Sequence, residues 1–374
     1  MDTINILIKP SSKCNLGCKY CFYSDLSSYR TLNGNGMMTE KTLERIMQEA
    51  FSISSRQVIF AFQGGEPTLA GLEFFKRFIE YESGYKPHEI SVHHSIQTNG
   101  VLINEEWAEF FCENKFLVGL SMDGNGDLHN MNRVNAADKG TFTKVCETFE
   151  MLKRKNVDTN ILCVVTNQLA RRAYSVYTGM KTRGCRFMQF IPCIDPPDKV
   201  RGGQEYSLTP DRYIVFLKTL FDLWYNDWER KDYVSIRLFD DYVHILADRS
   251  PGSCASSGSC GQYIVIESDG GIYPCDFYTE DKWYIGNINS MPLTVLIDSE
   301  KAKEFINESF DYPEKCASCC YFNVCRGGCK RDRYYENGET NNYFCSTFIE
   351  FFDYSIDRLK HIASLERTLR RRSY

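Results

Sequence analysis

Cys14-Asn15-Leu16-Gly17-Cys18-Lys19-Tyr20-Cys21 places three thiols in one tight loop, shortly after the apolar run Ile4 to Ile8. Thiolates favour soft metals and iron–sulfur clusters, and a [4Fe–4S] cube takes four of them, one per iron. This loop offers three, and no further cysteine follows until Cys112. One iron is thereby left for an outside ligand, and an open coordination position marks a catalytic rather than a structural metal. The competing reading is a set of buried or zinc-binding cysteines, since free cysteine is among the most buried residue types. The C-x3-C-x2-C spacing, with Tyr20 before the last thiol and Phe22-Tyr23 after it, favours the cluster.

Working outward, 374 residues suit two domains or one large α/β domain with an extension. A hydrophobic content of 43% and a charged content of 25% describe a soluble globular chain able to bury a substantial core. The net charge of −5 gives no general attraction to nucleic acid or acidic membranes, so neither is expected as a partner. Arg367 and Arg370 to Arg372 read as a solvated helix terminus. No amino-terminal stretch fits a signal peptide, and no segment is expected to span a bilayer. Seventeen cysteines without a secretory signal then point to the reducing cytoplasm and metal ligation, not to a disulfide scaffold. No repeat or low-complexity segment stands out.

Strands are expected at Ile4 to Ile8, Val58 to Phe62, Ile90 to Gln97, Phe116 to Ser121, Thr159 to Val165 and Phe187 to Ile191. Helical periodicity separates them: from Glu40 with Leu43, Ile46, Met47 and Ala50 on one face, through Phe74 to Ile79, near Glu105 to Cys112, near Thr141 to Lys153, and on to about Arg183. Six alternating strands call for parallel βαβ units in a twisted sheet or incomplete barrel, with reactive loops at the strands' carboxyl ends. Ser27 to Met38 reads as a flexible connection and Cys193 to Gln204 as a long loop, before a helix over Leu208 to Trp228. The domain boundary is placed near Lys231 to Leu238, giving domains 1–235 and 236–374. Beyond it the alternation stops, cysteine density rises, and a helix over about Thr347 to Thr368 closes the chain.

The three-cysteine spacing resembles the signature of the radical S-adenosylmethionine (SAM) superfamily, and that resemblance selects a partial (β/α)6 barrel. It implies that SAM occupies the open iron through its amino and carboxylate groups. Reductive cleavage then gives methionine and a 5′-deoxyadenosyl radical, with Tyr20 against the adenine. Gln63-Gly64-Gly65-Glu66-Pro67 follows the second strand. Its glycines let backbone approach a ligand, and Glu66 or backbone carbonyls can accept from an ammonium. It matches the superfamily motif that holds the amino group of SAM. By the same resemblance Ser121 binds the ribose or amino-acid portion and Arg133 the carboxylate; the plain alternative for Arg133 is a surface salt bridge. Gln97-Thr98-Asn99-Gly100 offers polar groups suited to substrate.

Eight further thiols lie toward the carboxyl end, the number for two fully ligated [4Fe–4S] clusters. Their spacing resembles the SPASM extension of peptide-modifying radical SAM enzymes. That resemblance implies Cys254, Cys260, Cys275 and Cys329 on one auxiliary cluster and Cys316, Cys319, Cys325 and Cys345 on the other, three [4Fe–4S] clusters in all. A double zinc module is the alternative, because four-cysteine zinc sites also use C-x2-C pairs. Cys320 is a spare thiol or alternative ligand. Cys112, Cys146, Cys163, Cys185 and Cys193 fall on or beside expected core elements and read as packing residues. Full ligation leaves the auxiliary clusters electron transfer or scaffolding.

Leu7-Ile8-Lys9-Pro10, Phe60 to Gly71, Asn114 to Gly124, Asn160 to Thr166 and Tyr273 to Tyr278 resemble the anaerobic sulfatase-maturating enzymes most closely. The departures lie around Asp195 to Glu205 and at Cys319-Cys320. The family oxidises a Cys or Ser side chain of a sulfatase to formylglycine. This implies a peptide or unfolded sulfatase segment as substrate and a flavodoxin- or ferredoxin-type reductant. Asp276, next to ligand Cys275, is placed as the base that takes the substrate's thiol or hydroxyl proton; its alternative is a carboxylate bracing a tight metal loop, and Asp281 or a water is the next candidate base. Two rival functions stay open: crosslinking or epimerisation of a ribosomal peptide on the same scaffold, and a zinc-stabilised peptide- or RNA-binding module. The acidic balance speaks against RNA.

Overall fold

The computed structural model describes residues 1–28, 30–31, 36–196 and 199–371. Parts of the 27–38 connection and the 193–204 loop, and the side chains of Arg370 to Arg372, lie outside the described residues. In chain order the strands are β1 (Thr3–Ile8), β2 (Gln57–Phe62), β3 (Ser91–Thr98), β4 (Phe116–Ser121), β5 (Thr159–Val165), β6 (Phe187–Pro192) and β7 (Ser235–Ile236). Then come β8 (Ile264–Ile266), β9 (Gly271–Tyr273), β10 (Gly286–Asn287), β11 (Arg333–Glu336) and β12 (Glu339–Asn342). The first six coincide with the expected strands to within a residue or two. The chain forms two compact units, each discontinuous in sequence.

The first unit comprises Met1–Met122, His129–Ile161 and Gly261–Ile306. Its strands β1 to β4 are parallel neighbours in chain order, with Ile4 opposite Val58, Val58 opposite Val92 and Ile96 opposite Val118. Crossover helices Glu40–Ile53, Leu72–Tyr85 and Glu105–Glu113 separate them. Two start at side-chain caps that sequence makes natural: Thr39 accepts from the Thr42 amide and Asn104 from the Trp107 amide. Val58, Phe60 and Phe62 alternate inward along β2, and Phe62 lies 4.9 Å, ring to ring, from both Phe75 and Phe78. The other edge of β1 is taken by a strand from far along the chain: β8 pairs in parallel with Ile6 opposite Ile264, then turns antiparallel into β9. Glu49, buried on the first crossover helix, accepts the Leu293 amide at 2.7 Å and ties down the same returning segment.

The second unit comprises Asp123–Leu128, Leu162–Cys260 and Asn307–Tyr374. Strand β6 pairs in parallel with β7. Helix Pro210–Glu229 opens with proline in its first turn and packs on the last helix, Cys345–Arg371. The contact is aromatic, with Tyr213 and Phe344 at 5.0 Å and Phe221 and Phe351 at 5.6 Å. The hairpin β11–β12 turns on Asn337-Gly338, both left-handed, as a two-residue turn requires. Arg201 donates to the carbonyls of Arg331, Asp332 and Arg333, while Arg331 donates to the Pro192 carbonyl.

Two sequence expectations need correcting. The helix read up to Arg183 is broken into Asn167–Ala170 and Ala173–Thr182. Cys163, Cys185 and Cys193 are buried, but Cys112 is exposed and is not a packing residue. Among the described residues no helix is long and apolar enough to cross a membrane.

Candidate active site

The three-cysteine loop lies in the first unit and is held by backbone pairing with residues 132–135. The Gly17 amide donates to the Val134 carbonyl at 2.8 Å, and the Lys19 amide to the Asn132 carbonyl at 3.1 Å. Cys14 receives the Leu16 amide at 3.4 Å, and the Asn99 side-chain amide, just past the carboxyl end of β3, donates to its sulfur at 3.9 Å and to the side-chain Oδ1 of Asn15 at 2.7 Å. Desolvation of the sulfur pushes the Cys14 thiol up to about 11 although the residue itself is exposed, and the nearby Glu66 and Cys21 charges add to it. Burial raises Cys21 as well. Thiols that resist ionisation alone, yet gather on one loop, suit a cation-rich cluster whose charge would hold them as thiolates. Tyr20 is buried beneath Arg133, the guanidinium 5.5 Å from the ring centre. Arg133 is itself buried, so the surface salt-bridge alternative does not describe it.

The Gly64-Gly65 turn serves the loop before it serves any ligand. Gly64 is at φ +123°, and a Cβ on Gly65 would lie 2.1 Å from the Lys13 carbonyl oxygen. Side chains are therefore excluded where the end of β2 lies against the start of the cysteine loop. The Glu66 amide donates to that same Lys13 carbonyl at 2.8 Å. The Glu66 carboxylate is buried and accepts from the Thr68 amide and hydroxyl, the Thr98 hydroxyl and the Asn99 amide, at 2.6 to 3.1 Å. It braces the ends of β2 and β3 together, so the carboxylate is already engaged by this chain's own donors. Ser121 is buried at the end of β4.

Gln63 points elsewhere. Its amide donates at 2.8 Å to one oxygen of Asp276, and the Lys9 ammonium lies 2.5 Å from the other. Lys9, fully buried, also meets Glu267 at 3.2 Å and sits 4.1 Å from the centre of the Tyr23 ring. Glu267 in turn takes the Tyr23 hydroxyl at 2.8 Å and Arg30 at 3.1 Å. Two cations and two carboxylates thus neutralise one another out of water. Burial opposes charging Lys9, but the Asp276 and Glu267 carboxylates outweigh it and its pKa is raised. Burial likewise disfavours ionised Glu267, and Lys9 and Arg30 reverse that, holding its carboxyl below the usual range. The helix after Cys21 is joined to the turn carrying Asp276 by Phe22 against Phe277, 4.6 Å apart. Asp281 is exposed and receives the Thr31 amide and hydroxyl, so it acts as a brace for that segment.

In the second unit Cys316, Cys319, Cys325 and Cys345 gather around a cavity of about 270 Å³, with Phe348, Phe352 and Cys320 also on its wall. Burial pushes Cys325 up to about 12, and the charges of Cys345, Cys316 and Cys319 raise it further. Four thiols lining one hollow are a donor set that a cluster with a cationic core would hold as thiolates. Burial raises the Cys260 thiol, and the charge of Cys254, nearby in the same unit, adds to it. Cys329 belongs to that unit also, following the left-handed run Arg326-Gly327-Gly328. Cys275 belongs to the first unit, buried beside the Tyr263 hydroxyl at 3.5 Å.

Sequence reading singled out the cysteines and Asp276 as candidates, but not the groups that hold Asp276. Lys9, Arg30, Tyr23, Glu267 and Tyr263 were missed, as was the contact of Asn99 with the cysteine loop. One signal was available for Lys9, a lysine between an apolar strand and a proline, where burial demands a carboxylate partner.

The radical SAM superfamily model matches residues 8–169, and the SPASM iron–sulfur cluster-binding domain model matches residues 254–320. The cysteine-type anaerobic sulfatase-maturating enzyme of Clostridium perfringens is 44% identical over 97% of this chain and 99% of its own length. The serine-type enzyme of Bacteroides thetaiotaomicron is 30% identical over 93% of this chain and 88% of its own. The solved structure of native anSMEcpe with bound AdoMet and Cp18Cys peptide superposes with a TM-score of 0.91 at 44% identity, covering 97% of this chain and 99% of that one.

Proposed function

Since this chain belongs to the anaerobic sulfatase-maturating enzymes, a radical SAM family built on iron–sulfur clusters, we propose that it oxidises a cysteine side chain of a sulfatase to formylglycine. The observation carrying the cysteine assignment is the near full-length match to cysteine-type enzymes at 44%, against 30% for the serine-type enzymes.

Cys14, Cys18 and Cys21 would hold the first cluster, with Tyr20, Ser121, Arg133 and the carbonyls of the Gly64-Gly65 turn around SAM. Cys254, Cys260, Cys275 and Cys329 would hold one auxiliary cluster and Cys316, Cys319, Cys325 and Cys345 the other. When bound, these groups supply the 5′-deoxyadenosyl radical that takes a hydrogen atom and a site that accepts one electron. The substrate –CH2–SH thus loses a hydrogen atom, a proton and an electron to become –CH=S; water then replaces sulfur, leaving the aldehyde and hydrogen sulfide. Asp276 receives the thiol proton on a carboxylate oxygen. Gln63 and Lys9 fix that carboxylate in direction, and Glu267 keeps Lys9 compensated as the proton arrives. Burial of Asp276, Lys9 and Glu267 excludes the water that would compete for the proton. A flavodoxin- or ferredoxin-type protein supplies the electron for SAM cleavage, and the setting is cytoplasmic.

The test is an anaerobic assay on sulfatase-motif peptides carrying Cys or Ser at the target position, with the aldehyde detected by mass. Aldehyde from the Cys peptide, and little or none from the Ser peptide, is the expected outcome. Inert sulfatase peptides, with a thioether crosslink formed in a small peptide encoded nearby, would replace this reading.

A further inference from the structure

The sulfur of Cys275 has a tyrosine hydroxyl beside it. The Tyr263 hydroxyl lies 3.5 Å from Sγ, and the same oxygen lies 3.5 Å from the backbone nitrogen of Asp276. The Tyr263 ring is fixed by packing against Leu7, Val265 and Tyr273. Cys275 and Asp276 are both buried.

The direction of these two hydrogen bonds follows from proton counting. The Asp276 amide can only donate, so the Tyr263 oxygen accepts there. A thiolate holding iron carries no proton, so the remaining contact is O–H donating to sulfur. One hydroxyl therefore joins the residue bearing the base to the sulfur beside it.

We propose that Tyr263 is a positioning residue that tunes the auxiliary cluster held by Cys275, raising its reduction potential while setting the backbone at Asp276. Reduction adds negative charge to the cluster sulfurs, and a donor aimed at one of them stabilises the reduced state more than the oxidised one. A higher potential makes that cluster the better acceptor for the electron leaving substrate. The proposal rests on Cys275 being a cluster ligand, as assigned above.

Tyr263→Phe removes the hydroxyl and keeps the ring. In the anaerobically reconstituted full-length chain, with iron counted and potentials followed by electron paramagnetic resonance, one auxiliary potential should move to more negative values while the other stays. Aldehyde formed per 5′-deoxyadenosine should fall in parallel. 3-Fluorotyrosine at position 263, a stronger donor of nearly the same shape, should move that same potential upward. Unmoved potentials in both iron-replete proteins overturn the proposal. Should Tyr263→Phe lose iron, the fluorotyrosine protein alone decides, by the presence or absence of the upward shift. Cys275→Ala separates the underlying assignment: a full iron complement there removes the ligand reading itself, whereas loss of one cluster's iron upholds it whatever Tyr263 does.

Discussion

The Lys9 ammonium lies 2.5 Å from the Asp276 carboxylate at the carboxyl end of β1, and both groups are out of water. A carboxylate held between a fixed cation and the Gln63 amide is fixed in direction. A buried ammonium facing only one anion would be stranded when that anion takes a proton. Glu267, 3.2 Å from the same ammonium and supported by Arg30 and Tyr23, prevents this.

Asp276→Asn keeps volume and one carbonyl acceptor but removes the base. It should bind SAM and form 5′-deoxyadenosine with all iron present, while aldehyde falls by roughly a hundredfold or more. Chromatographic measurement of both products decides it; equal yields of the two in an iron-replete variant would exclude Asp276 as base.

Lys9→Met leaves Asp276 and Glu267 without their shared cation and should destabilise the fold by about 3–5 kcal/mol. Adding Asp276→Asn should recover part of that loss, because one uncompensated charge disappears, while aldehyde formation stays absent. Melting curves of the four proteins in the cycle test it; strictly additive losses would mean that the pair does not interact energetically.

Gly65→Ala places a methyl group 2.1 Å from the Lys13 carbonyl oxygen. The start of the cysteine loop must shift, and the variant should lose the cluster of that loop while keeping the auxiliary pair. Iron should fall from about 12 to about 8 per chain, with SAM cleavage abolished, as in the chain lacking Cys14, Cys18 and Cys21. Iron analysis after anaerobic reconstitution is the measurement, and a full complement with normal cleavage would contradict it.

Asp240 gives the pH prediction. Burial pushes its carboxyl up to about 6, and the neighbouring Asp241 charge adds to the shift despite the Ser235 hydroxyl bond. The folded chain therefore binds the extra proton across the window from about 4 to about 6, and stability falls as pH rises through it. Asp240→Asn removes the penalty and should stabilise the protein by roughly 1–3 kcal/mol at about pH 8, with little gain near pH 4. Thermal melts by circular dichroism at the two pH values test the sign.

Much of this was legible in sequence because its causes are local. The strands β1 to β6 declare themselves through apolar runs such as Val58 to Phe62, and Cys14, Cys18 and Cys21 through spacing alone. The rest depends on partners far away. Glu66 reads as a ligand group until Thr98 and Asn99 are seen to occupy it. Asp276 stands out in sequence only by its place after Cys275, and its holders Lys9 and Gln63 come from the ends of β1 and β2, more than two hundred residues earlier. No periodicity announces that β8 will pair with β1, since that pairing is set by the edge β1 leaves open and not by anything near residue 264.

That late pairing has a consequence for how the protein is made. The amino-terminal strands leave the ribosome long before Ile264, and at about 5–20 residues per second the delay lasts on the order of ten seconds or more. Throughout it β1 has an open edge of unpaired backbone and Lys9 has neither of its carboxylates. An unpaired strand edge is a template for association with other chains. Chains released before residue 276 therefore carry the cysteine loop but lack Asp276, and Lys9 meets its carboxylates only when a distant segment returns to the first strand made.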